Sequence, residues 1–255
     1  MTHTGRFLVG AVTAILVVSQ TNAQSDKSLT RDEVSVIKKK LVSAFEALGQ
    51  QQTGYQMERE NYSLPTDASI VEKTGRYYPI YGSATREYGT EKAAEKTNKD
   101  LQKEYEQKVL EAQSKGNYEE MAKLMAEMNK KMSTTQMEAS KAKKEPIHVN
   151  VTLNSGSGGA IDPDAVVFEK SGVIALRQLS DPTAQKGTVC VFFDPVSLKD
   201  TKQLSKVDLK TPEGGVAKKT TVLNMCIDFS GPIKEIEAWA KRIDTKKVLS
   251  QIDGL

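Results

Sequence analysis

Residues 115–132 read Lys-Gly-Asn-Tyr-Glu-Glu-Met-Ala-Lys-Leu-Met-Ala-Glu-Met-Asn-Lys-Lys-Met, and how they fold decides how the rest of the chain is arranged. Tyr118, Met121, Met125, Met128 and Met132 recur at alternating spacings of three and four, the a/d pattern of a helix packed lengthwise on another. Upstream, Leu101, Tyr105, Val109 and Ala112 draw one narrow apolar stripe through a helical pass expected from about Glu91 to Ser114. Between the two passes, Lys115-Gly116-Asn117 supplies residues that tolerate positive φ and end a helix. Glu95–Lys99, Glu104–Lys108, Glu119–Lys123 and Glu127–Lys131 stand in the favourable Glu-first i,i+4 order on the remaining surface. The segment 84–145 is therefore read as an inserted antiparallel αα-hairpin whose helices depend on packing against each other.

The words Lys115-Gly116-Asn117-Tyr118-Glu119-Glu120 resemble the turn between the two helices of a tetratricopeptide repeat. The resemblance covers one turn, without the repeated copies such arrays need, and implies a helix–turn–helix with no indication of function. Met137 continues the methionine run, and a thioether set suits Cu(I). Methionine equally fills irregular helical cores. No His or Cys lies in the run to complete a metal site, so a packed seam, or one that docks a partner, is the stronger reading.

Residues 1–23 have the form of a secretory signal peptide: Arg6 in front, an apolar run from Phe7 to Ser19, and Ala23 at the cleavage position. No Cys follows to form a lipobox, and the apolar run is short for a membrane span, so the mature protein is expected to be periplasmic or secreted. The chain carries 36 Lys+Arg against 33 Asp+Glu, a net charge of +3. Both signs are interspersed, unlike the one-sided basic face of a nucleic-acid binder.

The flanks, 24–83 plus 146–255, read as one α+β domain. Thr30-Arg31-Asp32-Glu33 is a capping box, and Val34, Ile37, Leu41, Phe45 and Leu48 make a one-sided helix closed by Gly49. Gln50 to Thr66 reads as a polar connector, and the proline in Tyr77-Tyr78-Pro79-Ile80-Tyr81 marks an edge or irregular segment. After the arm the period changes to two: Ile147, Val149, Val151 and Leu153 alternate with polar residues. Further strands are expected at 165–169, 172–179, 188–193 and 220–229, and a helix from Pro232 with Ile233, Ile236, Ala240 and Ile243 inward and Trp239 at its margin. Strand after strand without interleaved helices implies an antiparallel sheet covered on one face by the N- and C-terminal helices.

Cys190 and Cys226 fall on the same side of their strands, opposite Val189/Val191/Phe193 and Leu223/Met225/Ile227/Phe229. That placement allows a cross-strand disulfide, with two packed free thiols as the alternative. His148 is the sole histidine beyond the leader, placed in a regular strand; the Gly/Ser loop 154–159 offers neither a nucleophile elbow nor a phosphate cradle. Asp162, Asp164 and Asp194 read as turn initiators.

Three functional classes follow. The first is a non-enzymatic interaction protein whose helical arm docks another envelope or secreted protein. The second is a carrier or sensor of an apolar ligand lined by Tyr77, Tyr78, Tyr81, Phe192 and Trp239. The third, for which the sequence offers least, is a hydrolase. No catalytic residue, cofactor or metal ligand is expected, and no nucleic-acid partner.

Overall fold

The computed structural model describes residues 27–253 apart from positions 90, 142–143, 157, 180–182, 184 and 210–211. The leader expected at 1–23, and the side chains of Glu95, Met137, Lys141 and Lys143, lie outside the described residues. The fold is mixed α+β around a large antiparallel sheet. Its helices are α1 (Arg31–Glu46), α2 (Glu91–Ser114), α3 (Tyr118–Lys141), α4 (Ile233–Ala240) and α5 (Thr245–Leu249). Its long strands are β1 (Gln56–Ser63), β4 (Gly82–Gly89), β5 (Ile147–Leu153), β8 (Val173–Gln178), β9 (Lys186–Phe193) and β11 (Met225–Pro232), with a shorter β7 (Val166–Lys170). These seven form one sheet in the order β1-β4-β5-β11-β9-β8-β7, antiparallel throughout. Two minor ladders pair β2 (Ile70–Val71) with β3 (Arg76–Tyr77) and β6 (Gly159–Ala160) with β10 (Lys206–Val207).

Alternation along each strand separates two cores. Val149, Val151, Val189, Val191, Ile227 and Phe229 join one cluster with Ile37, Leu41 and Phe45 of α1 and Ile236, Trp239 and Ala240 of α4. On the opposite side Ile174, Leu176, Cys190, Phe192 and Cys226 pack under Leu198, Val207 and Leu209 of the long connector after β9. The capping box of α1 is present in full: Thr30 Oγ1 accepts from Glu33 N at 3.2 Å while Glu33 Oε2 accepts from Thr30 N at 2.7 Å. Such a cap satisfies two donors that the first helical turn otherwise leaves unpaired. Gly49 follows the helix at φ +68°, a left-handed position suited to glycine.

Several boundaries differ from the sequence expectation. Residues 84–89 belong to β4, between β1 and β5, and not to the arm. Gln56 to Ser63, expected as connector, is edge strand β1. Both strands are polar on their outward positions, so their period of two lacks contrast. Residues 220–224 precede β11, leaving a turn closed by Thr221 N on the Lys218 carbonyl, and Pro232 ends that strand as the N-cap of α4. Trp239 sits at the centre of the first core, 1 % exposed, because its indole N–H reaches the Leu48 carbonyl at 3.0 Å.

Candidate functional site

The methionine run lies on α3, packed along α2. Tyr105 of α2 is buried against α3, donates its hydroxyl to Glu127 Oε1 at 2.9 Å, and lies under Lys108 and Lys131 at 5.0 and 5.2 Å from the ring centroid. Ala112 is the other buried residue of the α2 stripe, with Leu101 and Val109 half-buried. From α3, Met121, Leu124, Met128 and Met132 are half-buried. Tyr118 and Met125 are not part of that contact: they stand 72 % and 47 % exposed. Leu124 replaces Met125 because a straight helix at 3.6 residues per turn drifts off a strict 3.5-residue seam. Gly116 makes the turn at φ +67°, with the Asn117 side chain accepting from Glu120 N at 3.2 Å. Glu104–Lys108, Glu111–Lys115, Glu119–Lys123 and Glu127–Lys131 pair on the wet surface.

At the root of the arm lies a cluster the sequence reading missed by assigning 84–89 to the arm and not to the sheet. Arg86 of β4 stacks its guanidinium 4.1 Å over the Phe45 ring and bonds Glu60 at 2.6 Å. Burial alone pulls its proton affinity down, but the bonds to Glu60 and Tyr88 outweigh that and hold it above the ordinary arginine value. Beside it, a groove of about 590 Å³ runs past Gln50, Gln52, Thr53, Tyr55 and Met57. The alternation Ala84, Arg86, Tyr88 was the available signal. A second groove of about 590 Å³ opens between α1 and the 212–223 connector, where Val36, Val216 and Leu223 meet Lys40, Arg76 and Lys218.

Cys190 and Cys226 do share a face, but they are free thiols, and the expected disulfide is corrected by the register. Cys226 stands opposite Phe192 and Cys190 opposite Asp228, which makes the cysteines diagonal neighbours about 7–8 Å apart. A disulfide spans Cα atoms usually within about 6.8 Å. The Cys226 thiol donates to Asp228 Oδ1 at 3.3 Å. Burial first, and the Asp228 carboxylate second, push both thiols above their ordinary value near 9.0. Since the folded values are the higher ones, thiol ionisation leaves stability untouched below pH 9 and erodes it above. The expected slope is up to about 1.4 kcal/mol per pH unit per thiol. Urea midpoints at rising pH measure it, and a Cys190→Ala/Cys226→Ala variant should flatten the profile; an unchanged slope contradicts the assignment.

On that same face, Glu87, His148, Ser230 and Thr188 occupy one cross-strand row. An acid, an imidazole and a hydroxyl are thus neighbours. The Ser230 hydroxyl is engaged by Thr188 Oγ1 at 3.1 Å, on the side away from His148, and Glu87 contacts Arg59 at 3.8 Å. His148 is exposed. The row is a polar ladder without the nucleophile–base bond of a triad.

The aromatic residues expected around an apolar ligand do not converge. Trp239 is sealed in the first core, Phe192 in the second, and Tyr78 and Tyr81 are 48 % and 59 % exposed. Asp194 is buried and accepts from Val196 N and Ser197 N at 3.0 and 2.7 Å, and Asp162 caps a short turn, so both act as turn initiators. Among the described residues no group of three or more His, Cys, Asp or Glu could hold a metal ion, and no helix is long and apolar enough to cross a membrane. The chain matches no protein-family model, no curated protein and no solved structure.

Proposed function

We propose that this is an exported, non-enzymatic interaction protein in which an antiparallel pair of helices, α2 and α3, projects from an α+β body as an arm and docks another envelope or secreted protein. Export rests on the form of residues 1–23. The body is the sheet covered on one face by the helices of the two chain ends, and its task is to hold the arm. The observation that carries the reading is the distribution of apolar residues on the arm. Two helices can bury only one stripe between them, and α3 exposes further large apolar side chains, Tyr118 and Met125, outside that stripe. Exposed aromatic and methionine side chains are enriched where proteins meet.

The test is removal of the arm. Tyr88 and Ile147 are register partners, so a short turn can join β4 directly to β5 when 91–141 are deleted. The shortened protein is expected to keep the cooperative unfolding of the body and to lose every partner recovered with the intact chain from envelope extract. Recovery unchanged by the deletion contradicts the reading.

A further inference from the structure

We propose that the free flank of α3 docks a second copy of this chain, antiparallel, about a two-fold axis at Met125; the inference rests on the reading of the arm as a docking element. The face of α3 beside its contact with α2 carries Tyr118, Ala122, Met125, Ala126 and Asn129, all exposed. The two alanines next to Met125 let another helix approach closely.

The occupant is specified by charge. Around Met125 the charges of α3 invert. Glu119 and Glu120 lie six and five residues before it, Lys131 and Lys130 six and five after, and Lys123 and Glu127 two on either side. In a two-fold antiparallel pair, a residue ahead of the axis meets the one equally far behind it in the other copy. Glu119 then faces Lys130 along the border of the free face, and Tyr118 faces Met132; Glu127 and Lys131 stay at the contact with α2, around Tyr105. An in-register parallel pair sets each of these charges against its own kind. Glu119 and Lys130 stand about three turns apart on one border of the free face, so each copy supplies both halves of a reciprocal ion pair. Their present partners do not prevent it: the Glu119–Lys123 pair is 81 % and 74 % exposed and can exchange.

Distance permits the arrangement. Sixteen residues separate Met125 from Lys141 at the end of α3, roughly 24 Å at 1.5 Å per residue. The two bodies therefore stand at opposite ends of the paired arms.

Sedimentation equilibrium on the protein as recovered after export provides the test, with circular dichroism to show that each variant is folded. A reversible dimer is expected that weakens as salt is raised. Met125→Glu places two carboxylates on the axis and should leave only monomer. Lys130→Glu should weaken the dimer by about tenfold or more, and adding Glu119→Lys should restore it to within about threefold, since the reversed pair regains complementarity. A monomer at every concentration and salt, a dimer indifferent to Met125→Glu, or a swap that fails to restore association overturns the proposal. A monomeric protein whose arm is still required for partner capture removes the second copy and leaves the docking reading standing. Capture that survives arm deletion removes the docking reading itself.

Discussion

Replacing Trp239 by alanine is expected to destabilise the protein by about 3–5 kcal/mol, the range for emptying a fully buried tryptophan site. The side chain is 1 % exposed and meets Tyr88 edge-on at 4.8 Å between centroids and Phe229 at 5.7 Å. Its indole N–H is given to the Leu48 carbonyl at 3.0 Å, just past the end of α1. Trp239 thus joins the helix near one end of the chain to the helix near the other across the sheet. Trp239→Phe keeps part of the packing but leaves that carbonyl without its donor, and an intermediate loss of about 1–3 kcal/mol is expected. Urea unfolding followed by far-ultraviolet circular dichroism reads both variants, since Trp239 is the sole tryptophan and its fluorescence disappears with it. A loss below about 1 kcal/mol for the alanine variant would mean that the site is not packed as described.

Asn154 is the second residue on which much depends. It has a left-handed backbone, φ 53°, and its side chain ties two other segments, at Ile80 and at 221–223, to its own. Its amide nitrogen donates to the Ile80 and Thr221 carbonyls at 2.7 and 3.0 Å, and its oxygen accepts from Leu223 N at 2.7 Å. Asn154→Ala abandons all three bonds in a half-buried place and adds a strained φ, for an expected loss of about 2–4 kcal/mol. Asn154→Gly relieves the backbone part alone and should be about 1 kcal/mol less damaging. Equal and small losses in thermal melts of the two variants would show that these bonds are dispensable. Because Thr221 and Leu223 line the groove beside α1, loosening this residue should also open that wall.

The elements with high contrast were legible in the residues alone. Helix α1 was announced by its capping box, the bounds of α2 by charge-laced polarity ending at Ser114, and the inward sets of β9 and β11 by plain alternation. What failed had a physical cause in each case. Strands β1 and β4 carry Arg59, Glu60, Thr85 and Glu87 where solvent meets them, so their pattern resembles a polar connector or the start of an arm. The seam of α3 was misassigned at two positions, Tyr118, which is exposed, and Met125, whose place Leu124 takes, because all three are apolar and only helical drift distinguishes them. The two thiols could be placed on one face by parity, but parity says nothing of register, and the register keeps them apart. Arg86 could not be recognised as part of the root cluster while its strand was hidden, since Glu60 and Phe45 reach it from elements distant in sequence.

The arm leaves the sheet between two strands that are already hydrogen-bonded neighbours, with Tyr88 beside Ile147. It therefore occupies the place of a tight reversal that two residues could have made, and lengthening such a connection costs about 0.6 kcal/mol of loop entropy per doubling. The turn between α2 and α3, Lys115-Gly116-Asn117, is exposed and belongs to neither core cluster. A chain severed there would still have each half anchored by its own strands, so the polypeptide behaves as two complementary pieces that happen to be joined, and its extremity is where cargo could be spliced in without disturbing the rest.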